Sequence, residues 1–364
     1  MQRAFELAEM GRGYTKPNPM VGAVIVENDT IIGEGYHEAY GGAHAEVNAL
    51  KDAEGKMHHA TMYVTLEPCN HTGKTPPCSL AIVNAPIARV VIASKDPNPV
   101  AHGGIDTLKK HGIEVSIGLL HEENVRINYA FFHYATTKTP FITLKTAMSA
   151  DGKIATKTHD SKWISNEKSR RYVHELRHEY HAIMVGANTV IKDDPKLTAR
   201  LEEQNTINPI RIVLDSDGII PLDANILNTE DAPTIIVASA ALDDSFKKAY
   251  EARGAEVLTV TAHDGLLSIE DVVNVLGESG IQSILLEGGA SVNDAFMRAG
   301  VIKRYYNFIA PKLIGGRDAL TPISGEGVNT VGDALNMQMM DVKRFDGDVC
   351  IIYELEGRHV HRHH

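Results

Sequence analysis

Thr65-Leu-Glu-Pro-Cys69-Asn-His-Thr-Gly-Lys74-Thr-Pro-Pro-Cys78, taken with His44-Ala-Glu46 upstream, is the stretch on which the reading of this chain turns. His44, Cys69 and Cys78 offer one imidazole and two thiols, a donor set that leaves one position of a tetrahedral zinc for water. Each piece alone is weak: a His-x-Glu tripeptide is ordinarily a solvated helix end, and a lone cysteine is ordinarily a small buried hydrophobe. Their order carries the argument, because a helix opens with His-Ala-Glu, a strand runs into Glu-Pro-Cys and a second helix begins at Pro-Cys.

His-x-Glu followed by Pro-Cys-x-x-Cys is the signature of zinc nucleobase deaminases, in which the glutamate carries protons and does not ligate. Here eight residues separate Cys69 from Cys78 instead of two. Cys69 should therefore hang from a strand-end loop and Cys78 from a helix start, with a loop carrying the cation Lys74 beside the metal. Two thiolates and a neutral imidazole leave divalent zinc formally neutral, so its water is activated less than at an all-histidine site. A positioned base, Glu46, would supply the rest, commonly about 10² to 10⁴ in rate. Gly73-Lys74-Thr75 has Pro68 where a phosphate-binding loop needs its first glycine, so nucleoside triphosphate binding is not implied.

With 364 residues the chain exceeds what one core usually fills, and two domains are expected. A net charge of -11 argues against nucleic acid or an anionic membrane surface, since either needs a basic stripe. Two of only three cysteines sit in the motif, leaving no pair for a structural disulfide and pointing to a reducing, cytoplasmic setting. No apolar run approaches the roughly 18 residues of a membrane span.

Residues 1–120 alternate helical and strand patterns. A helix near Phe5 to Met10 precedes strands at 21–26 and 31–36, a helix at 43–53, a strand at 61–65, a helix at 79–84, a strand at 89–93, a helix at 105–111 and a strand at 114–117. A helical stretch over 122–135 leads to a linker at 136–140. Beyond it, strands are expected from Phe141 and at 181–185, 210–214, 234–239, 256–260, 283–286, 304–309 and 349–354, with helices at 166–179, 244–253, 269–277 and 291–299. Both domains are α/β. Their expected extents are 1–138 and 139–357, with a histidine-rich tail at 358–364 that is set aside.

With these residues in hand, the chain resembles the bifunctional riboflavin-biosynthesis enzymes, a pyrimidine deaminase fused to a sugar reductase. The similarity rests on Pro17-Asn-Pro-Met-Val-Gly-Ala-Val-Ile-Val, Gly33-Glu-Gly-Tyr-His37, the two zinc stretches and Asp96-Pro-Asn-Pro. In the second half it rests on Lys145-Thr-Ala-Met-Ser-Ala-Asp-Gly152, Trp163-Ile-Ser, Asp193-Asp-Pro with Leu197-Thr, Ile212-Val-Leu-Asp-Ser216, Leu286-Glu-Gly-Gly289 and Ala310-Pro-Lys-Leu-Ile-Gly-Gly. It implies a cytidine-deaminase-like α/β/α sandwich followed by a dihydrofolate-reductase-like α/β domain. The implied chemistry is hydrolytic deamination of a phosphoribosylamino-diaminopyrimidinone, then NADPH-dependent reduction of its ribosyl group to ribityl.

By the same resemblance, Asn18 and His37 bind the pyrimidine or ribose, and Lys74 and His71 reach the phosphate. Ala147, Trp163, Thr189, Asp193, Ser216 and Gly289, Ala290, Ser291, Val292, Asn293, Asp294 and Ala295 contact NADPH. Ser161, Arg177, Leu197, Arg200 and Glu287 contact the second substrate, and Lys145 and Asp151 flank its ribose, Lys145 as the candidate catalytic group. A homodimer or homotetramer built through the reductase domain is also implied. Bland readings stay open: Asn18 serving only its Pro-Asn-Pro turn, Gly288-Gly289 a mere turn, Lys145 a solvated strand-end lysine, and 96–99 either a plain loop or a substrate contact. Two other functions are compatible with the residues alone, a deaminase whose second half only assembles oligomers, and a zinc-stabilised binding module.

Overall fold

The computed structural model describes residues 1–71, 76–99, 102–202 and 205–355. The chain divides into two compact units between Lys138 and Thr139. Lys74 and the tail at 358–364 lie outside the described residues.

The first unit runs α1 (Gln2–Glu9), β1 (Gly22–Glu27), β2 (Thr30–Tyr36), α2 (Ala45–Asp52), β3 (Ala60–Leu66), α3 (Cys78–Val83), β4 (Ile87–Ser94), α4 (Gly104–Lys110), β5 (Glu114–Ile117), α5 (His121–Ile127) and α6 (Tyr129–Thr137). Its sheet has the order β2-β1-β3-β4-β5. β1 pairs antiparallel with β2 and β3, and β3, β4 and β5 run parallel. One face packs Ile25, Met62, Val64 and Ile92 against Ala45, Ala49, Ile82 and Leu108 of α2, α3 and α4. The other carries Phe5, Ala8, Ala93 and Ile127. Each fully buried aliphatic side chain here contributes about 1.5–3 kcal/mol, and the result is a helix–sheet–helix sandwich.

One expected helix is two. The helical stretch over 122–135 is interrupted at Asn128, whose amide takes the Met20 N–H at 2.8 Å and donates to the Met20 carbonyl at 2.9 Å. A side chain tied to a distant backbone competes with continued helix, and the chain turns there.

The second unit runs β6 (Phe141–Ser149), α7 (Glu167–Glu179), β7 (Ala182–Gly186), α8 (Ala187–Asp193), β8 (Ile210–Leu214), β9 (Thr234–Ser239), α9 (Asp244–Glu251), β10 (Glu256–Val260), the two-residue strands β11 (Ala262–His263) and β12 (Leu266–Leu267), α10 (Ile269–Glu278), β13 (Ser283–Leu286), α11 (Ala290–Arg298), β14 (Ile302–Ala310), β15 (Met337–Phe345) and β16 (Asp348–Leu355). Its large sheet has the order β10-β9-β8-β7-β13-β6-β14-β16-β15. The strands from β10 to β14 are parallel, and the last two pairings are antiparallel. Central strands are buried on both faces: Ala182 and Met184 pack with Val272, Leu276 and Phe296, while Ile183 and Val185 pack with Val190 and Tyr250. That two-sided burial explains why these strands read as continuous apolar runs.

Candidate active sites

Helix α2 carries the first two functional side chains, and its seat is set by glycine and alanine. A Cβ at Gly35 would lie 2.3 Å from the Ala49 nitrogen, and one at Gly33 would lie 2.6 Å from the Ala49 carbonyl. With Ala45, Ala49 and Ala53 facing them at helical spacing, β2 and α2 approach almost backbone to backbone. His44 occupies the N-cap position in an extended conformation, and Glu46 sits in the first turn.

β3 brings Cys69 to the same place through its strand-end turn, and Cys78 opens α3, the separation the eight-residue spacer implied. The His44 Nδ1 lies 3.6 Å from the Cys69 sulfur and 3.3 Å from the Cys78 sulfur. All three donor atoms fall within 4.8 Å of one another, the one such cluster among the described residues. Zinc–sulfur and zinc–nitrogen bonds at tetrahedral angles put nitrogen and sulfur about 3.5 Å apart, so these residues fit a single zinc ion. Hydrogen bonding from Cys78 and from His44 lowers the pKa of the Cys69 thiol. The Cys78 backbone N–H also points at the Cys69 sulfur, at 3.4 Å.

Glu46 is buried among these groups, and desolvation pushes its carboxyl up to about 7. A buried carboxyl poised near neutrality beside a metal cluster is what proton transfer in both directions requires. His37 stands edge-on to His44, their ring centres 5.4 Å apart. Its Nδ1 donates to the Ala43 carbonyl at 3.0 Å, which leaves Nε2 to accept from the Asn18 amide at 3.1 Å. Burial lowers the His37 pKa, consistent with that neutral tautomer. Asn18 is thus tied into the site as well as lying in its turn. His71 is exposed.

In the second unit, β6, α7 and the end of β13 converge on one ion cluster. The Glu287 carboxylate accepts from Arg177 Nε at 2.8 Å, from Arg177 Nη2 at 3.0 Å and from Lys145 Nζ at 3.2 Å. Burial opposes ionisation of Glu287, but Arg177 and Lys145 more than offset it and hold the carboxyl well below the ordinary range. Lys145 is therefore a partly buried partner in a charge network rather than a solvated strand-end lysine. Arg177 has its fork engaged by Glu287 and only Nη1 directed elsewhere, to the Thr198 carbonyl at 3.4 Å. Arg200 bonds the Thr198 hydroxyl at 3.0 Å and is exposed. Leu197 is buried, in a left-handed conformation.

The residues expected at NADPH fall at the carboxyl ends of four neighbouring strands. Ala147 lies late in β6, Thr189 and Asp193 lie on α8 after β7, Ser216 follows β8, and 289–295 follow β13. Ligands of open parallel sheets bind along that edge. Gly289 is the N-cap of α11, and its missing side chain leaves the first-turn amides uncapped, with the Thr189 hydroxyl 3.7 Å from where a Cβ would stand. The residues fit a dinucleotide approaching through its pyrophosphate. Asn293 and Asp294 are buried and turned inward: the Asn293 amide donates to the Pro322 carbonyl and Asp294 pairs with Arg298. Trp163 is exposed under the Arg170 guanidinium, 4.6 Å from its ring centre, and Ser161 is exposed. Asp151 is a loop anchor, accepting from the Ser149 hydroxyl at 2.5 Å, Ile314 N–H at 3.1 Å and Gly315 N–H at 2.6 Å.

Two polar residues went unremarked in the sequence. His174 lies one helical turn before Arg177, and its Nδ1 accepts the Arg200 N–H at 3.3 Å; only its i, i+3 spacing to Arg177 hinted at it. Glu67, inside the Leu-Glu-Pro-Cys run, carries no local sign of its partners.

Residues 1–94 match the family described as "Cytidine and deoxycytidylate deaminase zinc-binding region", and residues 140–351 match "RibD C-terminal domain". The riboflavin biosynthesis protein RibD of Actinobacillus pleuropneumoniae is 43% identical over 97% of this chain and 94% of its own length. The chain belongs to the RibD family. RibD of Escherichia coli is 39% identical over 96% of this chain and 97% of its own. Among solved structures, the diaminohydroxyphosphoribosylaminopyrimidine deaminase/5-amino-6-(5-phosphoribosylamino)uracil reductase of Thermotoga maritima aligns with a TM-score of 0.86 at 38% identity, covering 98% of this chain and 97% of that one. Acinetobacter baumannii RibD aligns with a TM-score of 0.89 at 34% identity and the same coverage. As a member of the RibD family the chain is a bifunctional enzyme of riboflavin biosynthesis, with a zinc-dependent deaminase unit and an NADPH-dependent reductase unit.

Proposed function

We propose that His44, Cys69 and Cys78 hold the zinc ion of the deaminase unit, that Glu46 moves its protons, and that the substrate is the phosphoribosylated diaminopyrimidine named for the Thermotoga relative. When bound, zinc supplies Lewis acidity toward a water molecule. Glu46 would take the proton from a water held there and return it to the departing amine, so that a carbon–oxygen bond replaces a carbon–nitrogen bond and ammonia leaves. Asn18 and His37 orient the pyrimidine, His37 with its ring fixed by the Ala43 carbonyl. The observation that carries this reading is the burial of Glu46 against the three donor atoms.

In the reductase unit NADPH supplies a hydride to the sugar carbon. Hydride transfer depends mainly on orientation, and the Lys145–Glu287–Arg177 cluster supports a role in holding the sugar oxygens, with Arg200 left to meet the phosphate. Ser161 and Leu197 line the same substrate. The chain works in the cytoplasm, a reading supported by three free cysteines and by the lack, among the described residues, of any helix long and apolar enough to cross a membrane. Assembly through the reductase unit is supported by β15, an edge strand on which Met339, Met340 and Val342 are exposed.

Glu46→Gln tests the proposal. Ammonia release should fall by about 10²- to 10⁴-fold while zinc stays bound, and NADPH oxidation with the deaminated intermediate should be unchanged. Full ammonia release by that variant would remove Glu46 from the chemistry.

A further inference from the structure

Glu67 follows β3 and stands two residues ahead of Cys69, yet it takes no part in the chemistry described above. Its side chain is 6% exposed. One carboxylate oxygen accepts the Asp96 N–H at 3.2 Å, and the other accepts Gly103 N–H at 2.9 Å and Ile105 N–H at 3.2 Å. These donors lie at opposite ends of the connection from β4 to α4. The start of α4 presses on the turn that carries Cys69: a Cβ at Gly104 would lie 1.9 Å from the Pro68 carbonyl oxygen. Asn70, on the far side of Cys69, accepts from Thr107 at 2.9 Å and Ser79 at 2.8 Å, tying the turn to α4 and α3. Within this connection Asp96 is half-buried, and its own carboxylate turns the chain by accepting the Asn98 N–H at 2.8 Å.

Only a carboxylate has two acceptor oxygens on one short stem and no donor. Glutamine keeps one acceptor, so it can serve the Asp96 amide or the Gly103 and Ile105 pair, but not both. Its amide nitrogen would face a backbone N–H on the other side.

We propose that Glu67 is a positioning residue of the deaminase step, clamping the two ends of the β4–α4 connection to the turn that carries Cys69, so that Asp96 and Asn98 are held fixed beside that turn. The proposal rests on the deaminase reading of the first unit. The clamp acts on substrate binding rather than on the metal or the proton transfer.

The test compares zinc-loaded full-length wild type with Glu67→Gln, and with Glu67→Asp as a second variant that keeps the charge but withdraws the oxygens by one methylene. Three quantities are measured: bound zinc, KM and kcat for ammonia release, and amide hydrogen exchange over 96–105. In Glu67→Gln zinc should be retained, KM should rise on the order of tenfold, the factor that accompanies loss of one charge-assisted hydrogen bond, and kcat should change by less than about threefold. Exchange over 96–105 should accelerate, and Glu67→Asp should fall between the two. Unchanged KM or unchanged exchange with zinc retained overturns the clamp. So does loss of zinc in parallel with activity, which would make Glu67 a support of the metal site. If wild type itself releases no ammonia, the deaminase reading fails, while hydrogen exchange still decides whether Glu67 holds the connection.

Discussion

Replacing Glu287 by Gln removes the single anion from a cluster holding two cations. The side chains of Glu287, Arg177 and Lys145 are 10%, 13% and 16% exposed, so water screens them weakly. The wild-type carboxylate receives three charge-assisted hydrogen bonds. Glutamine keeps one acceptor oxygen and turns an amide nitrogen toward a guanidinium or an ammonium. Breaking a buried ion pair from one side costs about 3–5 kcal/mol because the partner charge is left without compensation. The remaining acceptor brings the expectation to the lower end, about 3 kcal/mol. For a unit of this size that is roughly 6–12 °C in melting temperature. Trp163, the only tryptophan, lies in the second unit, so its fluorescence follows that unit alone on heating. Lys145→Met, which leaves the bidentate Arg177–Glu287 pair intact, should cost clearly less, about 1 kcal/mol. A shift under about 2 °C for Glu287→Gln, or equal losses for the two variants, would refute the claim that Glu287 is the electrostatic centre of the reductase site.

Removing zinc with a chelator should abolish ammonia release and lower the unfolding temperature of the first unit, as expected if His44, Cys69 and Cys78 hold the ion as proposed; titration back should restore both at one zinc per chain, measured by elemental analysis. NADPH oxidation with the deaminated intermediate should survive the treatment. Burial, with Arg177 and Arg200 adding to it, holds the His174 pKa down at about 4. The unfolded chain, with an ordinary histidine near 6.5, therefore takes up a proton that the folded unit refuses, and stability is lost as pH falls from about 6.5 toward 4. The melting-temperature gap between wild type and His174→Gln should shrink or reverse across that window, and a gap independent of pH would show that His174 is not held neutral.

The ligand types and most of the elements are legible in the amino-acid order alone, because both are written in short-range patterns. His44, Cys69 and Cys78 are recognisable by donor chemistry and order, and the spans of most strands and helices by their local patterns. Where local signals conflict, the reading fell short: Asn128 splits a helix through bonds to Met20, over a hundred residues away in sequence, α8 is a single short helix after β7, and β15 is a mostly exposed strand with a register shift at Met339, so it shows no alternation. Which charges meet is settled by the folded arrangement of the strands. Glu287 reaches Lys145 and Arg177 because β13 is inserted between β7 and β6, and Glu67 reaches Asp96, Gly103 and Ile105 because β4 lies beside β3. Strand order is set by how crossovers bury both faces of a sheet at once, a property of the whole chain that no window of neighbouring residues contains.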